Sequence, residues 1–287
     1  MRIADIAPES AARRTLVMGI VNVTADSFSD GGKWLHTDAA IAHGVQLLEQ
    51  GADILDIGGE STRPGATRVD GAVEAQRVVP VIKELAAQGA VISVDTMRAS
   101  VAAAAMDAGA VLINDVSGGL ADPDMYAVMA ETAAAVCLMH WRTENFGNAA
   151  GQGDHGGDVV ADVHATLTQL ADNAVRAGVP LENISLDPGL GFAKTPQDNW
   201  ALLHALPSFI DGEFPVLVGA SRKRFLSAIR AARGVESSPQ LADPATAAVT
   251  ALSAQRGAWA VRVHDIPGSR DAVDVAAAWA QGGLFAE

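Results

Sequence analysis

Asp95 and Asp187 each close a short apolar run, VISVD and ISLD. Carboxylates at the ends of buried strands can act as acid and base, bind a metal, or hold a cationic or amide-rich ligand. Either can also do no more than cap the next helix. Asn114 closes VLIN and offers both a donor and an acceptor. Together the three can read a flat heterocycle with several N–H groups, because a carboxylate accepts two parallel hydrogen bonds from an amino-pyrimidine edge. Lys223 lies in ASRKRF, at the start of a helical stretch. Positive charge there opposes the helix dipole, which favours a functional role for at least one of Arg222, Lys223 and Arg224; Arg224 reads as a solvated position. Arg262 and His264 stand two apart in WAVRVH and so share a strand face. With Arg63 they can form an anion clamp of forked and single donors. Asn22 closes LVMGIVN and can give an oxygen to a hard cation such as Mg²⁺, which takes few protein ligands. Asp56 and Asp115 favour structural roles. The seven histidines show no HxH or HExxH spacing, which argues against a zinc site. His155 and His164 read as surface residues, and Cys137 as core.

These side chains meet only if the chain brings strand ends together. Apolar runs at 15–21, 52–57, 91–95, 110–114, 135–140, 184–187, 215–220 and 259–264 are nearly continuous, as in parallel strands buried on both faces. Helical periodicity fills 38–50, 71–88, 98–108, 123–133, 158–177, 196–205, 222–232, 243–256 and 268–281. Eight strands, each followed by helix, spell an α/β fold of the (β/α)8 TIM-barrel type, with chemistry at the carboxyl ends of the strands. Asn22, Arg63, Asp95, Asn114, Asp187, Lys223, Arg262 and His264 then point into one mouth. Thr37 or Asp38 can cap the first helix. Gly51, Gly89, Gly109 and Gly178 follow helices where a left-handed residue is wanted. Pro123, Pro196 and Pro244 sit near helix starts. Three βα loops, the first, second and fifth, are long: 22–37, 58–70 and 142–158. The first two suit lids that close over a ligand. The Gly-rich fifth reads as a flexible, weakly specified insertion.

A chain of 287 residues suits one barrel domain over 1–287, with 1–14 as a flexible extension. A net charge of −14, 20 basic against 34 acidic residues, argues against nucleic acid. An anionic ligand must therefore be drawn by a local cationic cluster. No apolar stretch is long enough to span a membrane, and the N-terminus has no apolar signal core. With a single cysteine, a reducing cytoplasm is the expected setting.

The segments MGIVNVTADSFSDGG, DIGGESTRPGA, SVDT, NDVSGG, LDPGLGFAKT, VGASRKRF and RVHD closely resemble, in order, the motifs of bacterial dihydropteroate synthases, the actinobacterial branch in particular. The resemblance covers about residues 15 to 281. It implies condensation of 6-hydroxymethyl-7,8-dihydropterin pyrophosphate with p-aminobenzoate to 7,8-dihydropteroate, with Mg²⁺ as cofactor. By motif, Asp95, Asn114, Met139, Asp187 and Lys223 resemble the pterin pocket. Asn22, Arg63, Arg262 and His264 resemble the pyrophosphate site, with Asn22 toward the metal. Thr62, Pro64, Phe192 and Ser221 match positions around p-aminobenzoate, and Phe28 and Asp30 match a lid that closes in catalysis. The resemblance also implies sulfonamide inhibition and a homodimer formed through outer helices. Ala25 departs from the family's NVTPDSF motif, where Pro is usual. A methyltetrahydrofolate-corrinoid methyltransferase would share the fold and pterin pocket but not need the SRK and RVH anion sites. A non-catalytic pterin-binding paralogue would be expected to have lost some of the residues retained here.

Overall fold

The computed structural model describes residues 1–6, 14–24, 33–61, 68–143, 146 and 153–283, and for 33–36 the backbone alone. Eight parallel strands carry the fold. They are β1 (Leu16–Asn22), β2 (Ile54–Gly58), β3 (Ile92–Asp95), β4 (Leu112–Asp115), β5 (Ala135–Met139), β6 (Ile184–Asp187), β7 (Leu217–Val218) and β8 (Ala260–Val263). Their order is β6-β5-β4-β3-β2-β1-β8-β7, and a bridge from Leu186 to Val216 brings the two edges together. The strands form a nearly closed barrel, alternating with α1 (Lys33–Glu49), α2 (Gly71–Ala87), α3 (Ala99–Asp107), α4 (Met125–Glu131), α5 (Val159–Arg176), α6 (Pro196–His204), α7 (Leu206–Ile210), α8 (Arg224–Ala232), α9 (Asp243–Arg256) and α10 (Ile266–Gln281). Among the described residues no helix is long and apolar enough to cross a membrane.

Both faces of the barrel wall are buried, which is why the strands read as unbroken apolar runs. Val17, Val21, Leu55, Ile57, Val94, Ile113, Val136 and Leu138 face the helix layer in one large core. The alternate residues Leu16, Met18, Ile54, Leu112, Ala135, Cys137, Leu217 and Ala260 form a second core in the barrel interior. The two-residue repeat carries on upward from this second set, so polar side chains reach the mouth at the strand ends. Cys137 is buried there, and burial pushes its thiol well up.

Several expectations change. Residues 1–6 are not a loose extension: Ile3 and Ile6 pack with Leu16 and Met18 in the interior core. Arg14 ties the chain to Asp53 at 2.7 Å. Helix α1 begins at Lys33, so Thr37 and Asp38 lie inside it rather than capping it; no Gly or Pro interrupts 33–38, and helix formation outruns the cap signal. Strand β7 is only two residues long, between Pro215 and Gly219, and α7 splits off from α6 at Ala205. Asp70 caps α2, Asp158 caps α5, and Thr195 with Asp198 makes a capping box on α6.

Candidate active site

Asp56 lies at the centre of the mouth's buried polar layer. It is fully buried on β2 and accepts from Ser93 Oγ at 2.6 Å, Asn114 Nδ2 at 3.1 Å and Arg262 Nε at 2.5 Å. Arg262 also reaches from β8 to Asp95 on β3, with Nη2 2.6 Å from Oδ2. Burial opposes the Arg262 charge, but Asp56 and Asp95 outweigh it and hold the guanidinium proton more firmly than usual. Burial pushes the Asp95 carboxyl up to about 7 against the pull of Arg262, and Asp56 adds to the push. The Asn114 amide is oriented by its bond to Asp56, with NH₂ inward and its oxygen turned away from that carboxylate.

Asp187 and Lys223 form the opposite wall. Asp187, 5% exposed at the end of β6, accepts from Gly189 N at 2.7 Å. Burial raises its pKa, and Lys223 pulls it back. Burial lowers Lys223 to about 8, against the attraction of Asp187 and with Arg262 adding to the fall. Lys223 Nζ is bonded to the Leu190 carbonyl and stands 4.7 Å over the Phe192 ring. The loop after β6 can pass this close only because it lacks side chains at two positive-φ turns. A Cβ on Gly189 would come 2.0 Å from the His140 carbonyl oxygen, and one on Gly191 2.7 Å from Lys223 Cδ. Met139, 2% exposed, packs with Met97, Val116, Trp141 and Ala193 into an apolar floor, and Phe192 stacks edge-on against Trp141 at 5.1 Å. Ser221 Oγ lies 3.0 Å from His264 Nδ1 and also accepts from the His264 backbone N–H, joining the ends of β7 and β8. Asn22 ends β1 beside Gly58.

Asn22, Asp95, Asn114, Met139, Asp187 and Arg262 are thus carried to the mouth by strands, His264 by the residue after β8, and Phe192, Ser221 and Lys223 by the loops after β6 and β7. Ala25, Phe28, Asp30, Thr62, Arg63 and Pro64 lie outside the described residues. The base of the second loop is nonetheless well anchored. Arg98 pairs with Glu60 at 2.9 Å and with Glu74, Thr96 Oγ1 donates to Glu74 at 2.6 Å, and Val69 N donates to Glu60 at 2.9 Å. Asp115 pins the loop after β4 by accepting from Ser117 N and Oγ and from Gly119 N.

Three features escaped the sequence reading. Asp56 is structural, as expected, but it is also the buried anchor of Asn114 and Arg262; the step Ile54, Asp56, Gly58 in ILDIG was its only signal. Lys194 is buried and donates to the carbonyls of Gly189 at 2.9 Å and Phe192 at 3.2 Å, fastening the loop after β6. Burial, reinforced by Lys223, lowers Lys194 to about 7. His155 is not a surface residue: its side chain is 6% exposed and lies 2.7 Å from Asp162. Gly153 N donates to the Ala193 carbonyl at 2.8 Å, so this end of the fifth loop is specified by contacts that composition does not reveal. His164 is half-buried, its ring stacked on Phe209 at 3.8 Å.

The arrangement can hold a flat, hydrogen-bonding ring against two carboxylates, an amide and an ammonium, with cations toward the rim. Residues 18–264 match the family model described as "Pterin binding enzyme". The dihydropteroate synthase of Mycobacterium leprae is 52% identical over 268 residues, 93% of this chain and 94% of that one. The dihydropteroate synthase of Xanthomonas albilineans, solved with 4-aminobenzoic acid, superposes with a TM-score of 0.83 at 42% identity, covering 95% of this chain and 96% of that one. The Yersinia pestis enzyme, solved as a sulfonamide drug complex, gives 0.83 at 37% identity, covering 93% and 95%.

Proposed function

Because the chain belongs to the pterin-binding enzyme family, in its dihydropteroate synthase branch, we propose that its barrel mouth joins 6-hydroxymethyl-7,8-dihydropterin pyrophosphate to p-aminobenzoate. The products are 7,8-dihydropteroate and pyrophosphate, making the protein a transferase of folate biosynthesis. The observation that carries this assignment is the ring of Asp95, Asn114, Asp187 and Lys223 above the Met139 floor. Carboxylates on two sides accept N–H groups from the pterin edge, Lys223 donates to a ring acceptor, and Met139 supports the ring face.

Pyrophosphate leaves from a carbon attached to an electron-rich ring, so the ring can share the positive charge that develops. Arg63 and His264, with Arg262, offset charge on the leaving group. Two nitrogens of Arg262 are held by Asp56 and Asp95, and Nη1 is engaged by neither carboxylate. A divalent cation suits Asn22: one neutral oxygen donor at a strand end, beside a substrate that brings its own phosphate oxygens, is a donor set that Mg²⁺ accepts. Held there, it would supply charge neutralisation to the leaving pyrophosphate. Thr62, Pro64, Phe192 and Ser221 orient the arylamine for attack, and orientation supplies much of the rate. By their match to the family's motif, Phe28 and Asp30 are assigned the role of excluding water that would otherwise trap the electrophilic carbon.

A cytoplasmic homodimer fits this reading. Leu252, Val275 and Trp279, 63%, 59% and 78% exposed on the adjoining helices α9 and α10, supply an apolar outer face for the partner. The test is dihydropteroate formation by the purified protein with both substrates and Mg²⁺. Product that requires both substrates and is suppressed by a sulfonamide supports the proposal. Bound pterin without product refutes it in favour of a binding-only protein.

A further inference from the structure

On the flank of the mouth, three side chains from separate elements point at one spot. His140 follows β5, His155 lies in the fifth loop, and Asp162 is in the first turn of α5. One ligand-capable atom from each lies within 4.8 Å of the others. His140 is fully buried, and among the described residues its Nε2 has no hydrogen-bond partner. That atom lies 3.3 Å from Asp162 Oδ2. His155 Nδ1 lies 2.7 Å from the same oxygen, while its Nε2 lies 3.2 Å from the Ala193 carbonyl. Both nitrogens of His155 thus face oxygen acceptors, whereas a neutral imidazole has one N–H to give. A second ring proton or a metal cation between Nδ1 and the carboxylate satisfies both contacts.

We propose that His140, His155 and Asp162 form a second divalent-metal site, of the two-histidine, one-carboxylate kind, suited to a first-row transition cation such as Zn²⁺ and separate from Asn22. The two separations to Asp162 are close to what such an ion needs. Ligand atoms about 2.05 Å from a tetrahedral Zn²⁺ stand roughly 3.3 Å apart. The His140–Asp162 separation of 3.3 Å already meets this, and the His155–Asp162 separation of 2.7 Å must open by about 0.6 Å. The surrounding groups match the outer shell that metal-binding histidines and carboxylates normally have. His155 Nε2 donates to the Ala193 carbonyl, and Arg142, bonded to Asp162, supports the carboxylate from outside. Lys194 Nζ lies 2.9 Å from His140 Nδ1. An open cleft of about 430 Å³, lined by Arg142, Asp154, His155, Asp158 and Asp162, gives access from solvent. Nitrogen ligands favour Zn²⁺ over Mg²⁺, so the two sites would not compete. The bound ion would fasten the fifth loop to the barrel rim and to α5. Fourteen residues separate His140 from His155 and six separate His155 from Asp162, which is why spacing in the sequence does not reveal the set.

The test is calorimetric titration of chelator-treated full-length protein with Zn²⁺, in millimolar Mg²⁺, alongside His155→Gln and Asp162→Asn. The expected result is one Zn²⁺ per chain, not displaced by Mg²⁺, with affinity reduced about 100-fold or more in each variant. Co²⁺ should give visible ligand-field absorption that His155→Gln abolishes. His155→Gln alters only a loop side chain, and thermal unfolding checks that both variants are folded. Absence of stoichiometric Zn²⁺, equal affinity in the folded variants, or displacement by Mg²⁺ would overturn the proposal.

Discussion

Removing the carboxylate of Asp56 should damage stability far more than its modest place in the sequence suggests. Asp56→Ala strands three donors: the Ser93 hydroxyl, the Asn114 amide and one edge of Arg262, all held at 2.5 to 3.1 Å in the wild type. A buried neutral donor left unpaired costs about 1–3 kcal/mol. Breaking a buried ion pair costs about 3–5 kcal/mol, reduced here because Arg262 keeps Asp95. Neighbouring losses do not add fully, so the expected total is about 4–6 kcal/mol, a large share of the roughly 5–15 kcal/mol that holds a typical domain. Asp56→Asn is the informative contrast. Its oxygen can face Arg262 and Asn114 while its NH₂ faces Ser93, whose hydroxyl can turn to accept. Only the charge is then lost, for about 1–2 kcal/mol. Urea unfolding of both variants, with pterin binding measured alongside, gives the comparison. An Asp56→Ala protein within about 1 kcal/mol of wild type would refute the reasoning, since the three donors would then have found other partners.

Pterin affinity should peak between about pH 7 and pH 8, as followed by ligand fluorescence. Below about 7 the Asp95 carboxylate takes up a proton and loses acceptor capacity; above about 8 Lys223 loses its ammonium charge. Affinity that does not fall below about pH 7, or that keeps rising through about pH 8, would contradict the assigned roles. Lys223→Ala and Asp187→Asn should each weaken the pterin roughly 10- to 150-fold, the equivalent of one charge-assisted hydrogen bond; calorimetry against the wild type tests this. Arg63→Ala should lower turnover about 100-fold or more, with an unchanged unfolding midpoint. Near-normal steady-state rates would remove Arg63 from the anion clamp.

The barrel was legible because its wall is buried on both sides. Such strands leave nearly continuous apolar runs, and the polar residue ending each run marks the mouth. Asp95, Asn114 and Asp187 stood out for that reason, and the strand at 184–187 agrees with the expected bounds to the residue. Local chemistry decided less where neighbours override it. The cap signal at Thr37 and Asp38 was overrun by the start of α1, and the short β7 reflects the flanking Pro215 and Gly219. Composition made the fifth loop look unspecified, yet Gly153 and His155 are held by Ala193 and Asp162.

Residue order alone determined the alternation of strand and helix, the inward face of each strand and the polar residues at its end, because the two-residue period of a strand and the 3.6-residue period of a helix are local properties. Only the tertiary structure decided what those residues do to one another. Asp56 and Arg262 are 206 positions apart, and Lys194 and His140 are 54 apart. Hydrogen bonding, burial and the resulting shifts in charge depend on distance in space, and barrel closure sets that distance. The same closure gathers His140, His155 and Asp162, whose meeting no local period encodes.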